Sequence, residues 1–193
     1  MKVSFFETGR YAVSPDLPRE WPVPPAAYDP ALGAQAFQGM VERARFVEKL
    51  GFDWISLSEH HYSPRILTPS PQVAAAYVAA RVQKIKIALL GPIVSHSNPV
   101  RIAEELAMLD TMADGRLIVG LLRGTPNETL TYDLNPQESR ERTDEGMVDG
   151  DGISVPARLR RGGRVLHSLS GGGGGAASGS SARRGRATVD VRA

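Results

Sequence analysis

Apolar segments centred on Trp54, Lys86 and Ile118 recur at intervals of 32 residues. Each interval has room for a strand, a crossover helix and two short connections, which is one βα unit. The segments 52–57, 85–90 and 117–122 are nearly continuous in apolar residues, as expected of strands covered on both faces in a parallel sheet. A fourth strand fits at residues 2–6, before a Pro-rich stretch (Pro15, Pro18, Pro22, Pro24, Pro25, Pro30) that is expected to be an irregular loop. The helices follow from a change of period. Phe37, Met40, Val41, Ala44, Val47 and Leu50 share one helical face ending at Gly51, and Ile102, Ala103, Leu106, Leu109 and Met112 share another. Ser70-Pro71 and Asn98-Pro99 read as N-caps followed by proline at the first helical position, the former opening the Ala-rich run 72–82. Asp114-Gly115 reads as a turn, and residues 136–147 are helical in character but heavily charged.

The pattern predicts an α/β protein with four βα units in residues 1–147. An eight-unit barrel takes about 250 residues, so the expected architecture is half a barrel, with the first and fourth strands as open edges. Residues 148–193 do not continue it. From residue 149 onward there are 11 Gly and 8 Arg, including Gly171–Gly175, with almost no aliphatic periodicity. Such a stretch buries too little apolar surface to offset its ordering entropy. It reads as a disordered or out-of-frame extension, Gly, Arg, Ala and Ser being what misread GC-rich codons yield. Arg161-Gly162-Gly163-Arg164 is its one nucleic-acid-like signal, and no nucleic-acid partner is expected.

This division decides what the charge means. The pI near 9.1 and net charge of +2 would suggest an acidic partner if spread over the whole chain. Residues 1–148 instead hold 15 basic and 18 acidic side chains, whereas residues 149–193 hold 8 Arg against 3 Asp. The patterned part is mildly acidic. With no cysteine, disulfides, thiolate nucleophiles and Cys-ligated zinc are excluded. The apolar runs are strand-sized, so no membrane span is expected, and nothing resembles a leader peptide; a cytoplasmic location is the expectation.

In parallel α/β folds, reacting groups gather at the C-terminal ends of the strands. Glu59-His60-His61, Gly91 to His96 and Arg123-Gly124 all fall there, and three of the four histidines are in these loops. Adjacent His60 and His61 point to opposite sides of an extended backbone. One is expected to face the cavity and the other to pack outward, toward Glu104 or a partner subunit. A cavity histidine suits acid–base chemistry or a cofactor hydrogen bond, although a purely structural cap is an equal reading. Glu59, His60, His61 and His96 lack the same-face spacing of a chelating pair, so no metal is assigned. A guanidinium at Arg123 suits a phosphate or carboxylate. Ser139-Arg140 offers a second contact to the same anion, though for Arg140 alone a solvated charge on a charged helix is the favoured reading. Gly91, after Leu90, lets a flat ligand approach the backbone closely.

Phe52-Asp-Trp-Ile-Ser-Leu-Ser-Glu59-His60-His61 resembles the bacterial luciferase-like, flavin-dependent monooxygenases. Asn98-Pro99-Val100-Arg101 does so too, as does the run from Met108 through Asp114-Gly115-Arg116 to Arg123-Gly124, and their order and spacing agree over most of residues 1–147. The resemblance implies a (βα)8 TIM barrel with reduced FMN, or in some relatives a deazaflavin coenzyme, at its C-terminal mouth. It makes His60 the catalytic histidine near the flavin, and Arg123 and Arg140, with Ser139, the phosphate contacts. Leu90-Gly91 falls at the family's non-prolyl cis peptide against the ring system, and His61 and Glu104 at its subunit contact. The activity implied is oxygenation of a small organic substrate by O2, with a separate flavin reductase supplying reduced FMN to a homodimer and the 15–30 loop rimming the pocket. The alternatives are deazaflavin-dependent hydride transfer and a non-catalytic flavin-binding or inert fragment.

Overall fold

The computed structural model describes residues 1–11, 20–63 and 66–152. Four strands, β1 (Ser4–Phe6), β2 (Trp54–Ser58), β3 (Lys86–Ile93) and β4 (Leu117–Leu122), form one sheet in the order β1-β2-β3-β4. Every pair is parallel, with Phe5 beside Ile55, Ile55 beside Ile87 and Ile87 beside Leu117. The connections run through α1 (Pro30–Lys49), α2 (Pro71–Ala79) and α3 (Pro99–Met112). The repeat thus gives three successive βαβ crossovers, and β1 and β4 are the sheet edges. Among the described residues no helix is long and apolar enough to cross a membrane.

The register divides the sheet into two faces. Ile55, Leu57, Ile87, Leu89, Leu117 and Val119 pack with Met40, Ala44, Val78, Ile102 and Leu106 of the helices into one core, all of them under 10% exposed. Each such aliphatic side chain contributes about 1.5–3 kcal/mol by leaving water. The alternate positions mix large side chains such as Phe6, Leu90 and Ile118 with small groups: Ser4 and Ser56, whose hydroxyls are 2.7 Å apart, Ala88 and Gly120.

Caps fix the helix starts. Asp29 accepts from the N–H groups of Ala31 and Leu32, Ser70 from Val73, and Asn98 from Val100 and Arg101, each with proline at the first helical position. Charged side chains tie the N-terminal ends of the strands. One oxygen of Glu48, at the end of α1, accepts from the backbone N–H groups of Gln83, Lys84 and Ile85 at 2.6–2.9 Å. Arg116, preceding β4, donates to the carbonyls of Ala113, Ile85 and Ala79 at 2.8–3.2 Å.

Several boundaries differ from expectation. Part of the Pro-rich stretch is regular: Pro25–Ala27 forms a 3-10 turn, and Pro30 opens α1 because Asp29 supplies its cap. β2 starts two residues later than predicted, and β3 runs on to Ile93 through an irregularity after Leu90. Leu50 and Met112 are 59% and 60% exposed, the first lying beyond the end of α1 and the second at the last turn of α3. A short α4 (Pro126–Thr131) follows β4, and α5 (Ser139–Gly152) continues five residues into the segment expected to lack structure. The rest of that segment, 153–193, lies outside the described residues, as does 12–19 of the Pro-rich loop.

Candidate active site

At the C-terminal ends of the strands lies a cleft of about 670 Å³, within the usual range for small-molecule sites. His60, Leu90, Gly91, Arg123 and Arg140 all line it. The loop after β2, the end of β3, the end of β4 and the first turn of α5 therefore converge on one space. Ser139 does not line the cleft; it is buried, and its hydroxyl donates to the Pro136 carbonyl at 2.7 Å, fixing the turn before Arg140.

The two histidines diverge, as alternation along an extended chain requires. Nδ1 of His60 is 3.2 Å from Oε1 of Glu128. His61 is buried, with Nε2 2.9 Å from Glu59 and its ring edge-on to Tyr132 at 5.0 Å between centroids. The expected approach of His61 to Glu104 is not made within the chain: Glu104 is exposed on α3, and the neighbouring Glu59 is the closer acid. The other oxygen of Glu59 accepts from the Ile93 N–H at 3.0 Å, which joins the loop after β2 to the end of β3. His96 sits behind the cleft, 5.2 Å from the Tyr132 ring and 3.2 Å from the Thr129 hydroxyl. Burial pushes its imidazole below the ordinary histidine value.

Glu128 escaped the sequence reading. It is 5% exposed and lines the cleft from α4, where it forms a capping box with Thr125. Its carboxylate accepts from the Thr125 N–H at 3.0 Å and from the Thr125 hydroxyl. Burial opposes its ionisation, but the hydrogen bonds from Thr125, His60 and the backbone prevail and hold it below the usual carboxylate range. An ionised carboxylate only accepts, so Nδ1 of His60 carries the proton in this pair, and in the neutral imidazole Nε2 is the acceptor nitrogen. A signal for this residue was present: Thr125-Pro126-Asn127-Glu128 fits the capping-box spacing with proline at the first helical position.

Opposite this network, the rim is unsatisfied. Arg123 and Arg140 are exposed, and among the described residues neither guanidinium has an ion-pair or hydrogen-bond partner. Ser58 Oγ, in the cleft wall, is buried without a partner among the described residues. The floor is apolar, from Leu90, Ile93, Leu121 and Leu122. Gly91 sits at φ +98°, and a Cβ there would meet Leu122 at 3.0 Å. Gly124, at φ +79°, is seated as tightly against Ile93. The Leu90–Gly91 bond is not cis; the cis bond among the described residues is Trp21–Pro22, and the chain turns at Gly91 through its left-handed φ instead. Two free cations, an orphan hydroxyl and a glycine-flattened apolar wall fit a phosphate-bearing, planar cofactor.

Among the described residues, no three acidic or imidazole side chains converge as a metal site. A model of the luciferase-like monooxygenase family matches residues 20–147. The chain is 33% identical over 156 residues to the alkanal monooxygenase alpha chain of Photorhabdus luminescens, an alignment covering 70% of this chain and 43% of that protein. Among solved structures it is similar to the monooxygenase RslO1 from Streptomyces bottropensis, with a TM-score of 0.61, 27% identity, and coverage of 79% and 42%. The oxygenating constituent of 3,6-diketocamphane monooxygenase from Pseudomonas putida, solved in complex with FMN, shares the fold at a TM-score of 0.60 and 20% identity, with coverage of 77% and 38%. The chain thus spans less than half the length of these proteins. Its parallel strands, the TIM-barrel fold of its structural neighbours and the match over residues 20–147 agree: the chain belongs to the luciferase-like monooxygenase family.

Proposed function

We propose that the cleft binds reduced FMN and serves the O2-dependent oxygenation of a small organic substrate, the flavin being delivered by a separate reductase. The observation that carries this reading is the pair of partnerless guanidiniums, Arg123 and Arg140, on the rim of the cleft that holds His60. A phosphate dianion is the ligand such a pair suits. In this reading Leu90 and Gly91 support the ring system, and Ser139 acts indirectly by setting the turn from which Arg140 projects. Bound reduced FMN supplies the electrons that activate O2. His60 is the catalytic residue: with Nδ1 tied to Glu128, its Nε2 accepts or returns a proton on the cleft side. Glu128 and Glu59 hold the two histidines apart, and the apolar floor excludes water from the ring.

The same two arginines offer a deazaflavin phosphate equivalent contacts, so the cofactor is settled by titration. A second copy of the chain is the proposed partner: Val100, Glu104, Met108 and Met112 recur every fourth residue along α3, and the three apolar ones are 47–60% exposed. The test is a fluorescence titration of the full chain with FMN and with the deazaflavin coenzyme. FMN is expected to bind the more tightly. Arg123→Ala should weaken it by about 10–100-fold, the value of one or two charge-assisted hydrogen bonds of about 1.5–3 kcal/mol, with Arg140→Ala acting less. Equal affinity of wild type and Arg123→Ala would remove the phosphate assignment.

A further inference from the structure

α4 is seated on the cleft wall without an apolar face. Thr125, Glu128, Thr129 and Tyr132 fall at the spacing i, i+3, i+4, i+7 and so share one side of the helix. That side is polar or aromatic, while Leu130 is 52% exposed on another. A helix of six residues is marginal by itself. With no aliphatic stripe to bury, its placement depends on specific bonds. We infer that His96 is a positioning residue: it donates from Nε2 to the Thr129 hydroxyl and thereby holds α4 where Glu128 keeps His60 in its Nδ1–H form. The inference rests on the proposed function, which makes His60 the catalytic residue; His96 itself is not among the described residues lining the cleft.

His96 reaches α4 at two points. Its Nε2 lies 3.2 Å from Oγ1 of Thr129, and its ring is 5.2 Å from that of Tyr132. Thr129 is 1% exposed and follows Glu128 in the chain, and its hydroxyl also lies 3.2 Å from the Thr125 carbonyl. A carbonyl only accepts, so both contacts of the Thr129 hydroxyl are hydrogen bonds only when Nε2 of His96 carries a proton. Burial holds this imidazole below the ordinary histidine value, which keeps it neutral near pH 7 and makes Nδ1 a bare acceptor. That second nitrogen is buried without a partner among the described residues. The Nε2–H group is therefore the one by which the ring acts on α4.

An anchor must itself be fixed, and His96 is. It ends the 3-10 turn Val94–His96, which continues directly from β3, a strand paired on both of its edges. The Ile93 N–H donates to Glu59 at 3.0 Å, and the Ser95 hydroxyl donates to the Arg123 carbonyl at 3.1 Å. The turn is thus tied to the ends of both neighbouring strands. The ring lies close over Gly124, where a Cβ would meet Cε1 of His96 at 3.3 Å. The glycine after Arg123 makes room for the histidine that seats the next helix. From β3 to the catalytic ring the path runs through His96, Thr129, Glu128 and His60, with a 3.2 Å contact at each end.

The test follows the tautomer of His60 by NMR of the imidazole nitrogens in the full chain, at about pH 8.5, above the ordinary histidine pKa of about 6.5. Wild type is expected to favour the Nδ1–H form over the Nε2–H form by about tenfold, the ratio that one charge-assisted hydrogen bond supports. His96→Asn, whose amide reaches only the Nδ1 position, should remove that preference. Thr129→Val, which deletes the hydroxyl and keeps the branched shape, should do the same. His96→Gln brings its amide near the Nε2 position and should retain the preference to within about threefold. An unchanged His60 tautomer in His96→Asn or in Thr129→Val, each folded by circular dichroism, overturns the inference. So does a His96→Gln chain that behaves like His96→Asn. Thr129→Val keeps the question answerable if the histidine variants misfold. The expected tautomer changes without FMN binding by wild type would leave the positioning path standing and overturn the cofactor reading; FMN binding with an unmoved tautomer would do the reverse.

Discussion

Arg116 and Arg123 stand at opposite ends of β4, one just before it and one just after. Arg116 spends its guanidinium on three backbone carbonyls from three segments. Arg123 has no side-chain partner among the described residues. The same contrast runs across the sheet: at the N-terminal ends Glu48 and Arg116 absorb loose amides and carbonyls, while at the C-terminal ends two arginines and a serine hydroxyl are left over. A charge held by three fixed dipoles stabilises the fold and has no capacity for a ligand. A charge held by none adds little to stability and keeps its full attraction for an anion. The same guanidinium chemistry is therefore committed at one end of the strand and uncommitted at the other, with six residues between.

That contrast breaks most visibly if the two residues are exchanged for alanine. Arg116→Ala should cost about 2–3 kcal/mol in urea unfolding, because three half-buried carbonyls lose a charged donor, with FMN affinity unchanged in whatever fraction stays folded. The Arg123→Ala, Arg140→Ala double variant should do the opposite, moving stability by less than about 0.5 kcal/mol, as exposed substitutions do, while abolishing measurable flavin binding. Stability loss in the double variant equal to that of Arg116→Ala would erase the distinction.

A smaller effect sharpens it with pH. Glu128 titrates below the usual carboxylate range in the folded chain, so its folded pKa lies under its unfolded one. Its contribution is complete above the unfolded value, about 4.3, and is lost as pH falls through the folded value. Glu128→Gln should therefore lose less stability than wild type on acidification below about pH 4, as read by thermal melts across that range. Identical acid slopes would mean that the Thr125 and His60 contacts do not bias the carboxylate.

The frame was legible because it repeats. Two equal intervals, the Ser70-Pro71 and Asn98-Pro99 caps and the apolar faces of α1 and α3 specify the strands and their crossover helices with only small boundary errors. His60, Leu90, Gly91 and Arg123 could be placed at the cleft because strand ends announce themselves as an apolar run followed by a polar or glycine residue, whereas Arg140, on the first turn of α5, was singled out only through the family resemblance. Residues defined by tertiary neighbours were not. Glu128 lies on a helix of six residues, too short for a period to register, and its importance comes from a histidine 68 positions away. Tyr11 and Tyr28 are separated by an irregular stretch and meet only once α1 is capped. Met112 was assigned to the core from its spacing, yet the last turn of α3 carries it off the sheet. Ser139 was placed with the anion for its neighbour's sake, whereas a nearer carbonyl takes its hydroxyl.

The grip of Glu48 on the backbone at Gln83, Lys84 and Ile85 also couples events in time. Three consecutive N–H groups share a single oxygen, so all three lose their acceptor together when that oxygen moves away. Their exchange with deuterium should proceed as one event, at the rate at which the end of α1 lifts away from the corner before β3. Opening between the first helix and the sheet thus has its own reporter, three amides that change together.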